Sequence, residues 1–248
     1  MRAPSWLTTQ NIAHRGLHDA DKGIIENTAS AVAAAMAAGY AVEVDLRLSA
    51  DGEAMVFHDS TLDRLTKAAG PLIQRRAADL RKIPFRDTGD RMMDLRELTE
   101  QVKRRTPLIL EIKSKWDNVG PLERRVAQVL RAYRGPVAVM SFNPKSLRAF
   151  IEFAPNLPRG IVAERFRNLD DWSNLSAWRR FMLRHMLHGL RTRPHFVAYE
   201  IAGLPSAAPL IARYIFRRPL ITWTVRTEAD RLRAELFADA MIFEGFLP

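Results

Sequence analysis

Eight short apolar runs, several rich in β-branched residues, punctuate the chain at 12–14, 41–46, 107–112, 137–142, 160–163, 196–201, 220–225 and 240–243. Longer stretches with helical spacing lie between them. Residues 28–38 read as a helix, with Asn27 or Thr28 as N-cap and Gly39 as its stop. Residues 122–133, ending at Gly135-Pro136, read as a second, and 228–237 as a third. Near-continuous apolar strands alternating with helices predict parallel βα units buried on both faces. Eight such units in 248 residues predict a (β/α)8 TIM barrel. An open doubly wound sheet is the rival fold, and no G-x-G-x-x-G follows the first run to support it.

Two segments depart from the repeat. Residues 59–105 are too many for one crossover and predict a small inserted cap subdomain between the second and third barrel strands. The whole of 1–248 then forms a single domain with that insertion. The second segment, 170–194, is Arg-rich and helical in pattern. On a wheel of 178–193, Arg180, Arg184, His188 and Arg191 gather on one side, and Trp178, Phe181, Met182, Met186 and Leu190 spread over the other. This predicts an outer barrel helix with its apolar side inward. The competing reading is an interfacial helix in peripheral contact with an anionic membrane.

Composition changes the picture in two places. There is no cysteine, which excludes a disulfide scaffold, a thiolate metal site and a cysteine nucleophile. With no apolar leader before His14 and no run of about 18 apolar residues, a soluble cytoplasmic protein is expected. Lys and Arg number 38 against 28 Asp and Glu, a formal charge of +10. That excess calls for an anionic partner. It is scattered over 75–76, 103–105, 124–125, 179–193 and 217–218, with no zinc-finger or basic-zipper spacing, so no nucleic-acid partner is expected.

The chemistry clusters at the predicted strand ends, where a barrel builds its catalytic face. Glu43 and Asp45 are two apart on one strand, so they face the same way, and Glu111 ends the next strand. Three inward carboxylates without cysteine favour Mg2+ or Ca2+ over zinc. The alternative is a structural ion-pair network with Arg15 and Lys113. Asp51-Gly52, flanked by short apolar alternation, signals a hairpin. A two-residue turn there places His58 directly opposite Asp45, so that His14 and His58 flank the metal as an acid/base pair.

The segments His14-Arg15-Gly16, Glu26-Asn27-Thr28, Glu43-Val44-Asp45, Asp51-Gly52, His58-Asp59, Glu111-Ile112-Lys113, Ser141-Phe142 and Trp223-Thr224-Val225 follow one another in an order that resembles the glycerophosphodiester phosphodiesterase family. The resemblance implies a barrel with an insertion between His58 and Glu111, and metal-assisted hydrolysis of glycerophosphodiesters to glycerol 3-phosphate and an alcohol. It implies His14 and His58 as the catalytic pair and Glu43, Asp45 and Glu111 as ligands of one divalent ion. Arg15 and Lys113 would grip the phosphate, and Trp223 would wall the glycerol moiety. By analogy with related phospholipases C, the glycerol 2-hydroxyl could attack first and give a cyclic phosphate. Asn27 is expected to be structural. Two departures stand out: Ile25, where the family usually has Pro, and the last strand, Ile242-Phe243-Glu244-Gly245. Neither is expected to touch a proposed ligand. Two rival functions are a lysophospholipase D acting at a membrane surface, served by Leu72, Ile73, Ile83, Phe85, Met92 and Met93 of the cap, and a non-catalytic barrel that binds phosphorylated ligands.

Overall fold

The computed structural model describes residues 2–168 and 172–248, so the start of the Arg-rich stretch at 170–171 lies outside the described residues. Its strands are β1 (Ile12–Ala13), β2 (Ala41–Leu48), β3 (Ala54–Val56), β4 (Leu108–Ile112), β5 (Val137–Ser141), β6 (Arg159–Ala163), β7 (Phe196–Glu200), β8 (Leu220–Val225) and β9 (Ala240–Phe243). All but β3 are parallel neighbours in the order β2-β4-β5-β6-β7-β8-β9-β1. The ring closes where β1 pairs with both β2 and β9, Ile12 standing opposite Ala41 and Ile242. The result is the expected (β/α)8 barrel, and the open-sheet rival falls because no strand of the eight is left at an edge.

Strand side chains alternate between two buried layers. Ile12, Ala41, Ile109, Met140, Val162, Ala198, Ile221 and Ile242 fill the barrel interior, joined by Leu7 from a short turn before β1. Val42, Val44, Leu108, Leu110, Val139 and Val197 face outward against helices. Helix α1 (Ala29–Ala37) is capped by the Thr28 hydroxyl, which accepts from the Ala31 N–H. Helix α2 (Leu95–Val102) opens with a capping box between Asp94 and Glu97. Helices α3 (Pro121–Leu130) and α4 (Pro144–Phe153) both begin on proline.

The β2–β3 hairpin differs from expectation by one residue. Leu46 pairs with Val56, Arg47 with Met55 and Leu48 with Ala54. The Ser49 N–H donates to the Glu53 carbonyl at 2.9 Å, which closes a three-residue loop over Ala50, Asp51 and Gly52. Gly52 takes a left-handed φ of +85°, and the Asp51 carboxylate accepts from the Ser49 hydroxyl and the Ala77 N–H. Asp51 thus ties the turn to the insertion, and the extra loop residue shifts the register. Phe57, not His58, stands opposite Asp45, its N–H donating to the Asp45 carbonyl at 3.0 Å.

Beyond β3 the insertion has its own small core of Met55, Phe57, Leu62, Leu72, Ala77, Leu80, Phe85 and Met92. The helix that ends the 59–105 segment packs elsewhere. Leu95, Leu98 and Val102 of α2 join the outer layer of the barrel, so α2 is the crossover helix of this βα unit.

The Arg-rich stretch also differs from the single helix with its apolar side inward. It forms α5 (Ala177–Arg184) and a one-turn helix, Gly189–Thr192, separated by Met186 at a φ of +51°. Leu183 and Met186 turn inward. Trp178 is 68% exposed, Phe181 46% and Leu190 90%. The break rotates the second turn away from the predicted wheel, and only one strip of α5 meets the barrel.

Candidate active site

Interior parity decides what reaches the C-terminal rim. Two or four residues beyond Ile12, Ala41, Ile109, Ile221 and Ile242, the same alternation presents His14, Glu43 and Asp45, Glu111 and Lys113, Trp223, and Glu244. His14, Arg15, His58, Glu111, Lys113 and Trp223 line one open cleft of about 810 Å3. Glu43 and Asp45 lie buried beside it. His58 arrives without the predicted pairing. The chain leaves the ladder after Val56, and the Arg47 guanidinium then donates to the His58 carbonyl.

One oxygen from each of Glu43, Asp45 and Glu111 lies within 4.8 Å of the others. Burial, and then the charges of Asp45 and Glu111, push the Glu43 carboxyl well above the usual carboxylate range. Burial would raise Asp45 too, but Lys113, His58 and Arg15 outweigh it and hold that carboxyl well below the range. Lys113 Nζ stands 3.2 Å from Asp45 Oδ1 and 2.6 Å from Glu111 Oε1. Arg15 Nε is 3.2 Å from Asp45 Oδ2. Asn27 braces Asp45 from behind. Its amide donates to Asp45 Oδ2 at 3.0 Å, and its side-chain oxygen accepts the Asp45 N–H at 3.1 Å.

A purely structural network accounts for Asp45 and Glu111, which face Lys113. It does not account for Glu43. Glu43 Oε2 accepts the Arg15 N–H at 3.0 Å, while buried Oε1 has no hydrogen-bond partner among the described residues. Each of the three carboxylates has one buried oxygen without a hydrogen bond among the described residues, Glu43 Oε1, Asp45 Oδ1 and Glu111 Oε1, and only that of Glu43 also lacks the Lys113 ion pair. Such an all-oxygen trio fits a hard divalent cation.

Each histidine is backed by a carboxylate. His58 Nδ1 lies 2.7 Å from Asp59 Oδ1. His14 Nδ1 bonds Glu244, and its Nε2 points into the site, 4.0 Å from Glu43 Oε2. Burial lowers the His14 pKa, against the raising influence of Glu244. Salt bridges also tie the cap to the rim. Arg15 donates to Glu26 at 2.6 Å, Glu26 accepts from Arg64 at 2.8 Å, and Arg64 donates to Asp59 at 2.7 Å.

The model of the glycerophosphoryl diester phosphodiesterase family matches residues 14–244. The chain belongs to this family of phosphoric diester hydrolases. A glycerophosphodiester phosphodiesterase of Caldanaerobacter subterraneus is 32% identical over 63% of this chain and 67% of its own length. Among solved structures, an Oleispira antarctica phosphodiesterase in complex with the product sn-glycerol-3-phosphate has a TM-score of 0.78. It is 21% identical, over 96% of this chain and 93% of that one. A glycerophosphodiester phosphodiesterase of Thermotoga maritima has a TM-score of 0.71 at 21% identity, over 94% and 92% of the two chains.

Glu244, in the segment where the last strand departs from the family pattern, bonds Nδ1 of His14, which is one of the expected catalytic pair and not one of the three proposed ligands. The pairing follows from barrel closure, which sets Phe243 beside Ala13 and therefore Glu244 beside His14. Two aromatic residues of the rim stand outside the sequence motifs. Trp116 and Trp172 line the cleft with Phe142 and Trp223, and the last two meet edge-on at 5.4 Å. Trp116 and Trp172 come from separate loops, and no local motif links them.

Proposed function

We propose that this phosphodiesterase hydrolyses small glycerophosphodiesters with Mg2+ or Ca2+ held by Glu43, Asp45 and Glu111. The observation that carries the reading is the unpartnered buried oxygen of Glu43, set beside a cleft lined by His14, Arg15, His58 and Lys113. A divalent cation there supplies positive charge to the phosphate oxygens. Arg15 and Lys113 add fixed charge, and Arg15 offers a planar fork. Glu244 holds Nδ1 of His14 and leaves Nε2 free, and the lowered pKa suits that ring to accept the proton of the attacking oxygen. His58, held by Asp59, returns a proton to the alcohol as its P–O bond breaks. Trp223 walls the glycerol moiety.

In this reading 1–248 is one barrel domain with its insertion over the site, acting in the cytoplasm without a nucleic-acid partner. No helix among the described residues is long and apolar enough to cross a membrane. Turnover of glycerophosphocholine and glycerophosphoethanolamine, first with EDTA and then with added Mg2+ or Ca2+, tests the reading. Expected is metal-dependent release of glycerol 3-phosphate, lost in His14→Ala and His58→Ala. Turnover unaffected by EDTA would overturn the metal assignment.

One observation favours a second substrate, a lysophospholipid taken from an anionic membrane surface. Leu72, Phe85 and Met92 are spent in the cap's own core and cannot receive an acyl chain. The apolar route runs the other way. Trp172 and Trp116 line the cleft, the Arg179 guanidinium covers Trp116 at 4.6 Å, and beyond it Trp178 and Phe181 stack at 5.5 Å on the open face of α5. Residues 172–195 hold five Arg and no acid, so the charge around this face matches anionic headgroups.

A further inference from the structure

A second trio of metal-binding side chains lies at the same rim. His14 and Glu244 end the neighbouring strands β1 and β9, and His18 folds back over them from the loop after β1. That loop is tightly held. Gly16 has a φ of +79°, and a Cβ there would meet the Ala31 backbone at 2.7 Å. The Leu17 N–H also donates to the Ala31 carbonyl at 2.9 Å. One donor atom from each of His14, His18 and Glu244 lies within 4.8 Å of the others, against roughly 3.4 Å between ligands of a tetrahedral zinc with bonds near 2.1 Å.

The donor set differs from that of the three carboxylates. Two imidazoles and one carboxylate suit Zn2+, Co2+ or Ni2+ better than Mg2+ or Ca2+. His18 Nε2 is shielded from solvent, lies 3.5 Å from Glu244 Oε2, and makes no well-formed hydrogen bond among the described residues. Glu244 is oriented for ligation, because Arg226 donates to its Oε1 at 2.7 Å and leaves Oε2 to the imidazoles. We propose that His14, His18 and Glu244 form a second, inhibitory site for a borderline transition-metal ion, separate from the hard-ion site.

The consequence for turnover rests on the proposed role of His14. A metal on Nδ1 takes the place of the proton shared with Glu244. The displaced proton moves to Nε2, so the neutral ring has no lone pair left there to accept another. Proton transfer through His14 stops while the substrate cleft stays open.

The experiment is a Co2+ titration of the protein in saturating Mg2+, read by visible absorption. Strong four-coordinate bands that Zn2+ abolishes are expected, and they should be lost in His18→Asn and His18→Gln. Both variants should melt as the wild type does and keep Mg2+-supported turnover. Their half-inhibiting Zn2+ concentration should rise at least about tenfold. Only the weak absorption of six-coordinate Co2+, or strong bands that survive both His18 variants, would overturn the site. Because the spectrum does not depend on turnover, failure of the proposed activity and failure of this site are told apart. Bands that vanish in both variants while Zn2+ leaves wild-type turnover unchanged would overturn the inhibitory role.

Discussion

At the residue scale, the site is a balance of buried charges that each neighbour shifts. Glu43 is buried beside two other carboxylates with one oxygen unpartnered, and its carboxyl is pushed well above the usual range. Glu43→Gln removes that repulsion, so the metal-free protein should melt about 2–4 °C higher, the equivalent of roughly 1 kcal/mol. The same variant should lose the metal-induced rise, which in wild type should reach about 5–10 °C at 100-fold excess over Kd. Differential scanning calorimetry with and without Mg2+ reads both, and an undiminished metal shift in Glu43→Gln would remove this residue from the ligand set. Glu244 acts through His14, raising its pKa against the lowering by burial. Glu244→Gln takes that support away, so the His14 pKa falls further. The acidic limb of the kcat/KM profile, where the base becomes protonated, should therefore move to lower pH as the rate falls by about 10- to 100-fold. A rate loss with an unmoved acidic limb would make Glu244 merely structural.

At the element scale, the β2–β3 hairpin is the joint between barrel and cap. Its loop needs a left-handed residue at Gly52, and open space surrounds that position, so any cost of a side chain there is conformational. Gly52→Ala should destabilise by about 1–2 kcal/mol, or roughly 2–8 °C in melting temperature. Metal affinity should survive because the three carboxylates stand on β2 and β4, while kcat should fall because His58 hangs from this hairpin. An unchanged melting temperature would contradict the three-residue loop. The loop also shows where local pattern stops being informative. Asp-Gly marks the turn, but the number of loop residues depends on Asp51 reaching across to the Ala77 N–H, 26 residues away. In α5, likewise, periodicity finds a helix but cannot say which strip meets the barrel. The strip of α5 that turns inward carries Leu183, so Trp178 and Phe181 stay outside, and the left-handed Met186 separates the next turn from α5.

For the whole molecule, a charge of +10 with an exposed aromatic face beside the cleft predicts selective attraction to anionic lipid. Co-sedimentation should show binding to vesicles containing phosphatidylserine, weakening as salt shortens the screening length to about 8 Å at 0.15 M. Trp178→Ala combined with Phe181→Ala should reduce that binding and leave glycerophosphocholine turnover intact. Equal binding to neutral vesicles, or none to anionic ones, would remove the membrane reading; a concentration-dependent dimer lost in the same variant would assign the face to a second copy instead.

Alternation and motif spacing were enough, from the sequence alone, for eight strands, the barrel they close and the strand ends that carry His14, Glu43, Asp45, Glu111 and Lys113. Those features depend on residues close together in the chain, where side-chain periodicity of two settles direction. The tertiary structure decided that Glu244 backs His14, that Phe57 displaces His58 from the position opposite Asp45, and that Trp178 faces outward. Each depends on a meeting of distant segments: β9 closing on β1 across some 230 residues, the insertion pulling on its turn, and the barrel surface choosing one strip of a helix.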